Sequence, residues 1–250
     1  MRRLIIGSIL PAFFIAIWEI SSRTGVLTLE SLSRPSDIIL AGIAGLGDGS
    51  ILVATVQTFE TSLLGLSMAA IAGIVSGAVL GLSPTLERVV APTVEALRPI
   101  PAVAFMPLAL MMFGFGISLE ATIVAYACVW PILIVTISAV QAIEPRLLEV
   151  AEALEMSFVE RLRKIILPAA FARINVSLRV AAGIALVVAV TVEIVLNPRG
   201  LGYSLILAQQ SLRVDVMYAQ LLWLCVIGYA LNALLRNIGP ASILLSRAGR

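Results

Sequence analysis

The chain contains no histidine, one lysine, two cysteines and few charges. Only 13% of its 250 residues are charged, against 60% hydrophobic. Without histidine, imidazole acid–base catalysis and the commonest metal ligand are excluded. Cys128 and Cys225 both sit inside apolar runs and read as small core residues, not as a disulfide or a metal pair. A net charge of +2 gives no argument for nucleic acid. A phosphate-cradling loop needs G-x-x-x-x-G-K-[ST], but the single lysine, Lys164, follows Arg161-Leu162-Arg163. The chain cannot hydrolyse ATP by that route, and we expect it to be no enzyme. Missing histidine and missing paired intramembrane carboxylates also count against a membrane enzyme.

What the chain has is apolar length. Its mean hydropathy is +1.06, whereas soluble domains carry about 45–50% apolar and about 25% charged residues. The expected fold is all-α and polytopic. A bilayer core needs roughly 20 mainly apolar residues as a helix, and on that rule six spans are expected: about 4–20, 54–82, 89–113, 119–142, 172–196 and 216–238. The first follows Met1-Arg2-Arg3, as a secretory signal would, but no small-residue cleavage pattern follows in Ser21–Gly25, so a retained span is expected. Between the first two spans, Arg34-Pro35-Ser36-Asp37 opens a short amphipathic stretch ending at Gly47-Asp48-Gly49, with Ser36 as the expected cap. After the fifth, Asn197-Pro198 and Gly200 predict a turn and a second short surface helix.

Threading six spans from a cytoplasmic N-terminus puts 13 of the 17 basic residues in the cytoplasm and leaves Arg23, Arg34, Arg199 and Arg213 outside. The positive-inside rule then predicts both termini in the cytoplasm. Gly65, Gly73, Gly77 and Gly81 share one face of the second span, where small residues let helices approach closely. Packing within one subunit and a dimer seam are both open for that face, the former favoured. Pro99, Pro101 and Pro107 break the third span, and broken backbone at membrane depth belongs beside protein or a water-filled cavity.

Against this apolar background, Glu149–Pro168 carries seven of the 32 charged residues. Glu144-Pro145 is a helix start with proline at the first position. Leu147, Ala151, Leu154, Phe158, Leu162 and Ile165 then recur at helical steps, predicting one apolar stripe. Ser157 and Glu160 fit a capping box, so a second helix should begin near Phe158 after a break near Met156. An interfacial helix on the lipid surface and a docking element for a soluble partner both fit.

Glu149-Val150-Ala151, three residues, position 155, nine residues, then Ile165-x-Leu167-Pro168 resembles the EAA motif of bacterial ABC importer permeases, E-A-A-x-x-x-G-x9-I-x-L-P, with its full spacing. "GLSPTLERVVAPTVEALRPIPAVAFMPLALMMFGFG", "RGLGY" and "RPSDIILA" resemble the nitrate/sulfonate/taurine branch. The resemblance runs from about Pro35 to Ile238. Val150 replaces an alanine. Glu155 replaces the glycine that ends the first short helix, where a left-handed glutamate costs roughly 1–2 kcal/mol more than glycine.

The resemblance implies a type I ABC importer permease fold: a first helix and short outer loop over 1–34, then a permease core over 35–250 with a coupling segment at 144–168. It implies a subunit of the bacterial inner membrane moving a small anion such as sulfonate, taurine or nitrate. Two ATPase copies would dock on Glu149, Val150, Ala151, Ala153, Leu154, Glu155, Met156, Ser157, Ile165, Leu167 and Pro168. A periplasmic or lipid-anchored binding protein would deliver solute, and a second copy of the chain would complete the path. ATP and magnesium would belong to the ATPase; no cofactor and no metal are expected in this chain. Glu60, Arg98, Pro101, Met106 and Glu193 are the pathway candidates, although Met106, Met111 and Met112 also read as core packing. The rival function is an ion-coupled carrier, which needs ionisable residues near mid-membrane. Its candidates, Glu60, Glu120 and Glu193, lie nearer the outer span ends.

Overall fold

A computed structural model describes residues 2–24 and 31–237. Those residues form helices and connecting turns, with no strand among them. The helices are α1 (Arg2–Arg23), α2 (Pro35–Gly47), α3 (Ser50–Leu82), α4 (Pro84–Leu97), α5 (Met106–Phe113), α6 (Ile117–Gln141), α7 (Pro145–Ala153), α8 (Phe158–Arg161), α9 (Leu167–Val195), α10 (Gly200–Gln210) and α11 (Val214–Asn237). A 3-10 turn, Ala102–Phe105, precedes α5, and a π-helical turn, Leu162–Ile166, joins α8 to α9.

The glycine face of α3 is the spine. A Cβ added to Gly65 would lie 2.6 Å from Val124 Cβ, and one on Gly77 2.6 Å from Thr136 Cβ. Gly73 meets Ile132 and Gly81 meets Val140 in the same way. Each α3 residue thus faces the α6 residue 59 positions later (65 to 124, 73 to 132, 81 to 140), so the two helices run parallel at backbone contact. This face is used inside the subunit. The third wall is α9, which runs antiparallel. Ala181, Ala185 and Ala189 pack with Ala69, Val124, Cys128 and Ile132, and Ala170 and Ile174 pack with Ala78 and Val140 nearer the other end.

Parallel neighbours force the intervening chain to return. From Gly81 beside Val140 to Thr61 beside Glu120 is 20 residues, about 30 Å of helix, close to the hydrocarbon thickness. The return is the predicted third span, but it is not one helix. Pro84–Leu97 and Ala102–Phe113 are bent by 84°, because Pro99 and Pro101 each remove a backbone donor and crowd the preceding turn. Pro107, expected to break the span as well, sits in the first turn of α5, where proline is tolerated.

Among the described residues, four helices are long and apolar enough to cross a membrane, and the bent pair makes a fifth if counted as one span. α1, with 22 residues, has the length for another, and Glu19 ties its end to α2 through the Ser36 N–H at 3.1 Å and hydroxyl at 2.9 Å. Ser36 is therefore not the cap of α2; it lies in the first turn, and Arg34 holds the cap position. Cys128 is buried as expected, but Cys225 is exposed on the outward side of α11. In a membrane-spanning bundle that side is apolar by nature, so its apolar surroundings gave no sign of depth in the core. Met1, Arg247 and Arg250 of the charge tally, the stretch 25–30 and Ile238 lie outside the described residues.

Candidate functional site

The coupling segment predicted at 144–168 is a helix, a turn and a helix. α7 starts at Pro145, with the Leu147 N–H donating to the Glu144 carbonyl at 3.0 Å. It ends in a left-handed residue, Glu155, at φ 48°. The Met156 N–H reaches back to the Ala151 carbonyl at 3.0 Å, the six-to-one bond of a Schellman motif with Glu155 where glycine is usual. The turn thus keeps the shape a glycine would give. α8 opens with the predicted box: Glu160 Oε2 accepts from the Ser157 N–H at 3.3 Å, and Ser157 Oγ accepts from the Glu160 N–H at 3.4 Å. Lys164 donates to Glu160 at 2.9 Å. That bond first, and those from Ser157 second, hold the Glu160 carboxyl below its ordinary range.

The predicted single stripe is not one face. Ala151 is buried at 1% exposure, whereas Leu147, Val150 and Leu154 point outward, Leu154 at 68%. The Leu154 N–H still donates to the Val150 carbonyl at 3.0 Å, and Leu147, Val150 and Leu154 are spaced by three and four, so they form an exposed helical face beside buried Ala151. Glu149, Ala153, Glu155, Ser157 and Pro168 are also exposed, and Met156, Ile165 and Leu167 are half-buried. Beneath them, Ile166 anchors the segment in the core with Ala170 and Ile174. The Phe158 side chain, placed on the stripe by its spacing, lies outside the described side chains.

At the opposite end, α10 is not a surface helix: Gly200, Leu201, Gly202 and Ala208 are buried. A helix start leaves its first N–H groups unpaired, and here other helices supply the acceptors. Gly200 N–H donates to Gln57 Oε1 at 2.9 Å, Leu201 N–H to Thr58 Oγ1 at 2.9 Å and Gly202 N–H to Glu193 Oε2 at 2.7 Å. Gly200 has φ 85°, and a Cβ on it would collide with the Glu193 carboxyl. Only glycine meets both demands. Glu120, 1% exposed, accepts from Thr61 Oγ1 and from Asn197 Nδ2, the latter at 2.6 Å.

The pathway candidates do not converge. Glu193 is 2% exposed beneath α10. Glu60 pairs with Arg199 at 3.5 Å on the surface. Arg98 is exposed and lines a separate cleft of about 280 Å³ with Glu87, Glu95 and Gln141. Pro101 is exposed in the bend. Met106 is 4% exposed and packs with Ala109, Leu119, Ile123 and Val192, as core packing requires. Met111 and Met112, expected in that core, are 87% and 67% exposed; Met112 borders a shallow cleft with Thr122 and Tyr126 of α6. Sequence reading named Glu120 only as an outer-end acid and missed Thr58, Thr61 and Asn197. The signal was present: Thr58, Thr61, Ser62 and Gly65 follow helical spacing and extend the glycine face.

The family model for binding-protein-dependent transport system inner membrane components matches residues 65–242. The chain belongs to that family. It is the permease component of an ABC import system, a multi-helix protein of the inner membrane. The permease is 28% identical to SsuC of Bacillus subtilis (strain 168), named for aliphatic sulfonates transport, over 92% of this chain and 83% of that protein. It is 30% identical to the bicarbonate transport system permease protein CmpB of Synechococcus elongatus, over 88% of this chain and 82% of that protein. In fold, it superposes on a chain of the inward-facing MetNI methionine ABC transporter with a TM-score of 0.66 and 19% identity, over 75% of this chain and 94% of that one.

Proposed function

We propose that this permease carries a small oxyanion, of the sulfonate, taurine, nitrate or bicarbonate kind, inward across the cytoplasmic membrane, driven by a separate ATPase that docks on residues 144–168. Both termini face the cytoplasm, two copies of the chain enclose the path, and a binding protein, free or tethered, delivers solute from outside. ATP and magnesium are held by the ATPase pair. The names of the relatives support the solute class: sulfonates and bicarbonate are both small oxyanions.

The observation that carries the docking role is Leu154, 68% exposed on a turn whose backbone is fixed from within. An exposed leucine held rigidly in a charged segment is a knob without a hole. Burying it contributes about 1.5–3 kcal/mol, and a carboxylate buried in its place carries a larger penalty. Leu154→Asp should leave membrane insertion and dimerisation intact, weaken ATPase docking by roughly tenfold or more, and abolish transport. Arg146→Ala should do much less. Co-purification of the ATPase with each variant decides it; full retention with Leu154→Asp would mean that the segment is a lipid-surface helix and not the coupling element.

A further inference from the structure

A second cleft, of about 430 Å³, opens at the α10 end between α2 and the starts of α3 and α11. Asp37, Asp48 and Asp215 line it together with Arg213, Ser50 and Gln220. Three carboxylates against one guanidinium leave a net charge of −2 in a chain whose net charge is +2. Among the described residues, none of these four charged groups is in an ion pair. Hydrogen bonds from Ser50 hold the Asp48 carboxyl below its ordinary range, so it stays ionised. Asp37 and Asp215 each lie in the first turn of a helix, where an acid is favoured. That explains each acid singly but not a fourth acceptor at the same place. Gln220 is 7% exposed, and its Oε1 has no hydrogen-bond partner. A buried amide oxygen without a donor is unfavourable until something supplies one.

The wall is therefore an acceptor set for a ligand rich in N–H and positive charge. No group of three or more acidic or sulfur ligands converges as a metal site among the described residues, which leaves an organic cation. The rim points to a protein as its bearer. Leu212, in the turn just before Arg213, is 85% exposed and left-handed at φ 56°. An apolar side chain pushed into water on strained backbone, beside an acidic cleft, has the form of a docking surface.

We infer that this cleft receives a lysine or arginine side chain of the solute-binding protein, with Leu212 packing against an apolar neighbour of that side chain. The inference rests on the proposed function, which places this end outside and makes the binding protein its soluble partner. The test uses the complete transporter, permease with its ATPase, in lipid nanodiscs, titrated with its binding protein while ATP hydrolysis is followed. The Asp37→Asn/Asp48→Asn/Asp215→Asn variant keeps side chains able to hold the same turns. It should raise the half-saturating binding-protein concentration by roughly tenfold, with basal hydrolysis and the saturated rate unchanged. The wild-type curve should shift the same way in raised salt and the variant's much less. Leu212→Ser should raise the half-saturating concentration with its salt dependence retained. A variant curve that overlays the wild type overturns the inference while the proposed function stands. A wild-type complex indifferent to every binding protein removes the proposed function and this inference together. Calorimetry with methylammonium covers the remaining occupant: binding to the wild type but not to the variant, with an unshifted hydrolysis curve, would make the site one for a free amine and overturn the docking role.

Discussion

The two ends of the bundle solve the same problem in opposite ways. Each must close helix termini whose first N–H or last C=O groups lack partners. Where α10 begins, the acceptors come from other helices: Gln57 and Thr58 from α3, 143 residues away, and Glu193 from α9, nine residues away. Where α7 meets α8, the capping bonds are local: Met156 to Ala151, Ser157 to Glu160. Distant capping welds α3, α9 and α10 into one rigid piece. Local capping fixes a turn without burying it, and so leaves Leu147, Val150 and Leu154 free to meet something else. The proposed docking role calls for that second solution, because a face gripped from outside cannot also be core.

The largest expected effect tests the welded end. Gly200→Ala places a Cβ into the Glu193 carboxyl at a left-handed position. The backbone term is roughly 1–2 kcal/mol and overpacking adds about 1–3 kcal/mol. The variant should lose roughly 2–5 kcal/mol of stability, read as a clear fall in the detergent unfolding temperature. An unchanged midpoint would mean that α10 is held from elsewhere and that the contrast between the ends is wrong.

The coupling end should respond in the opposite direction. Glu155→Gly removes a left-handed glutamate, worth roughly 1–2 kcal/mol, and adds the chain entropy of glycine, roughly 0.5–1 kcal/mol against. The turn should become more stable by about 0.5–1 kcal/mol, seen as slower amide exchange at Met156 with the global unfolding temperature almost unmoved. Faster exchange would show that the Glu155 side chain contributes to the turn in a way its backbone angle hides.

How much of this was legible in the sequence follows the same division. Local features were: Pro145 at a helix start, the Ser157–Glu160 box, the break near Met156 and the left-handed demand at 155 all rest on bonds spanning a few residues. The glycine face was legible too, since Gly65 to Gly81 keeps helical spacing. Three things were not. That the third span breaks was read from its prolines, but not that the break falls at Pro99 and Pro101 alone, because Pro107, tolerated in the first turn of α5, looks like Pro101 in a string of letters. The burial of α10 depends on Gln57 and Thr58, 143 residues before their partners. The split of the stripe, with Ala151 buried and Leu147 and Leu154 exposed, depends on which flank of the face the rest of the bundle covers, and spacing does not give that. Of the candidate site, spacing located the helix–turn–helix at 144–168 that we propose as the docking segment, whereas the five pathway residues had no shared period to place them, and they lie apart.

The smallest expected effect is also at the locally capped end, and it is a matter of pH. Lys164 and Ser157 hold the Glu160 carboxyl below its ordinary value of 4.5. A carboxyl whose folded-state pKa is depressed binds protons more readily when unfolded. Its contribution is fully present above the ordinary carboxylate range and is lost as pH falls through the lowered folded value. Between pH 6 and pH 3 the first turn of α8 should therefore loosen. The Arg161 N–H, which donates to the Ser157 carbonyl at 2.9 Å, is the reporter, because it closes that turn. Glu160→Gln keeps an acceptor for the capping box but cannot titrate, so it sets the reference for the intrinsic pH dependence of exchange. Protection at Arg161, taken as the ratio of wild type to Glu160→Gln, should fall on acidification while the Met156 amide, closed by a backbone carbonyl, keeps its ratio. If both amides lose protection together, the whole segment is opening as a unit, and local capping is not what holds the docking turn.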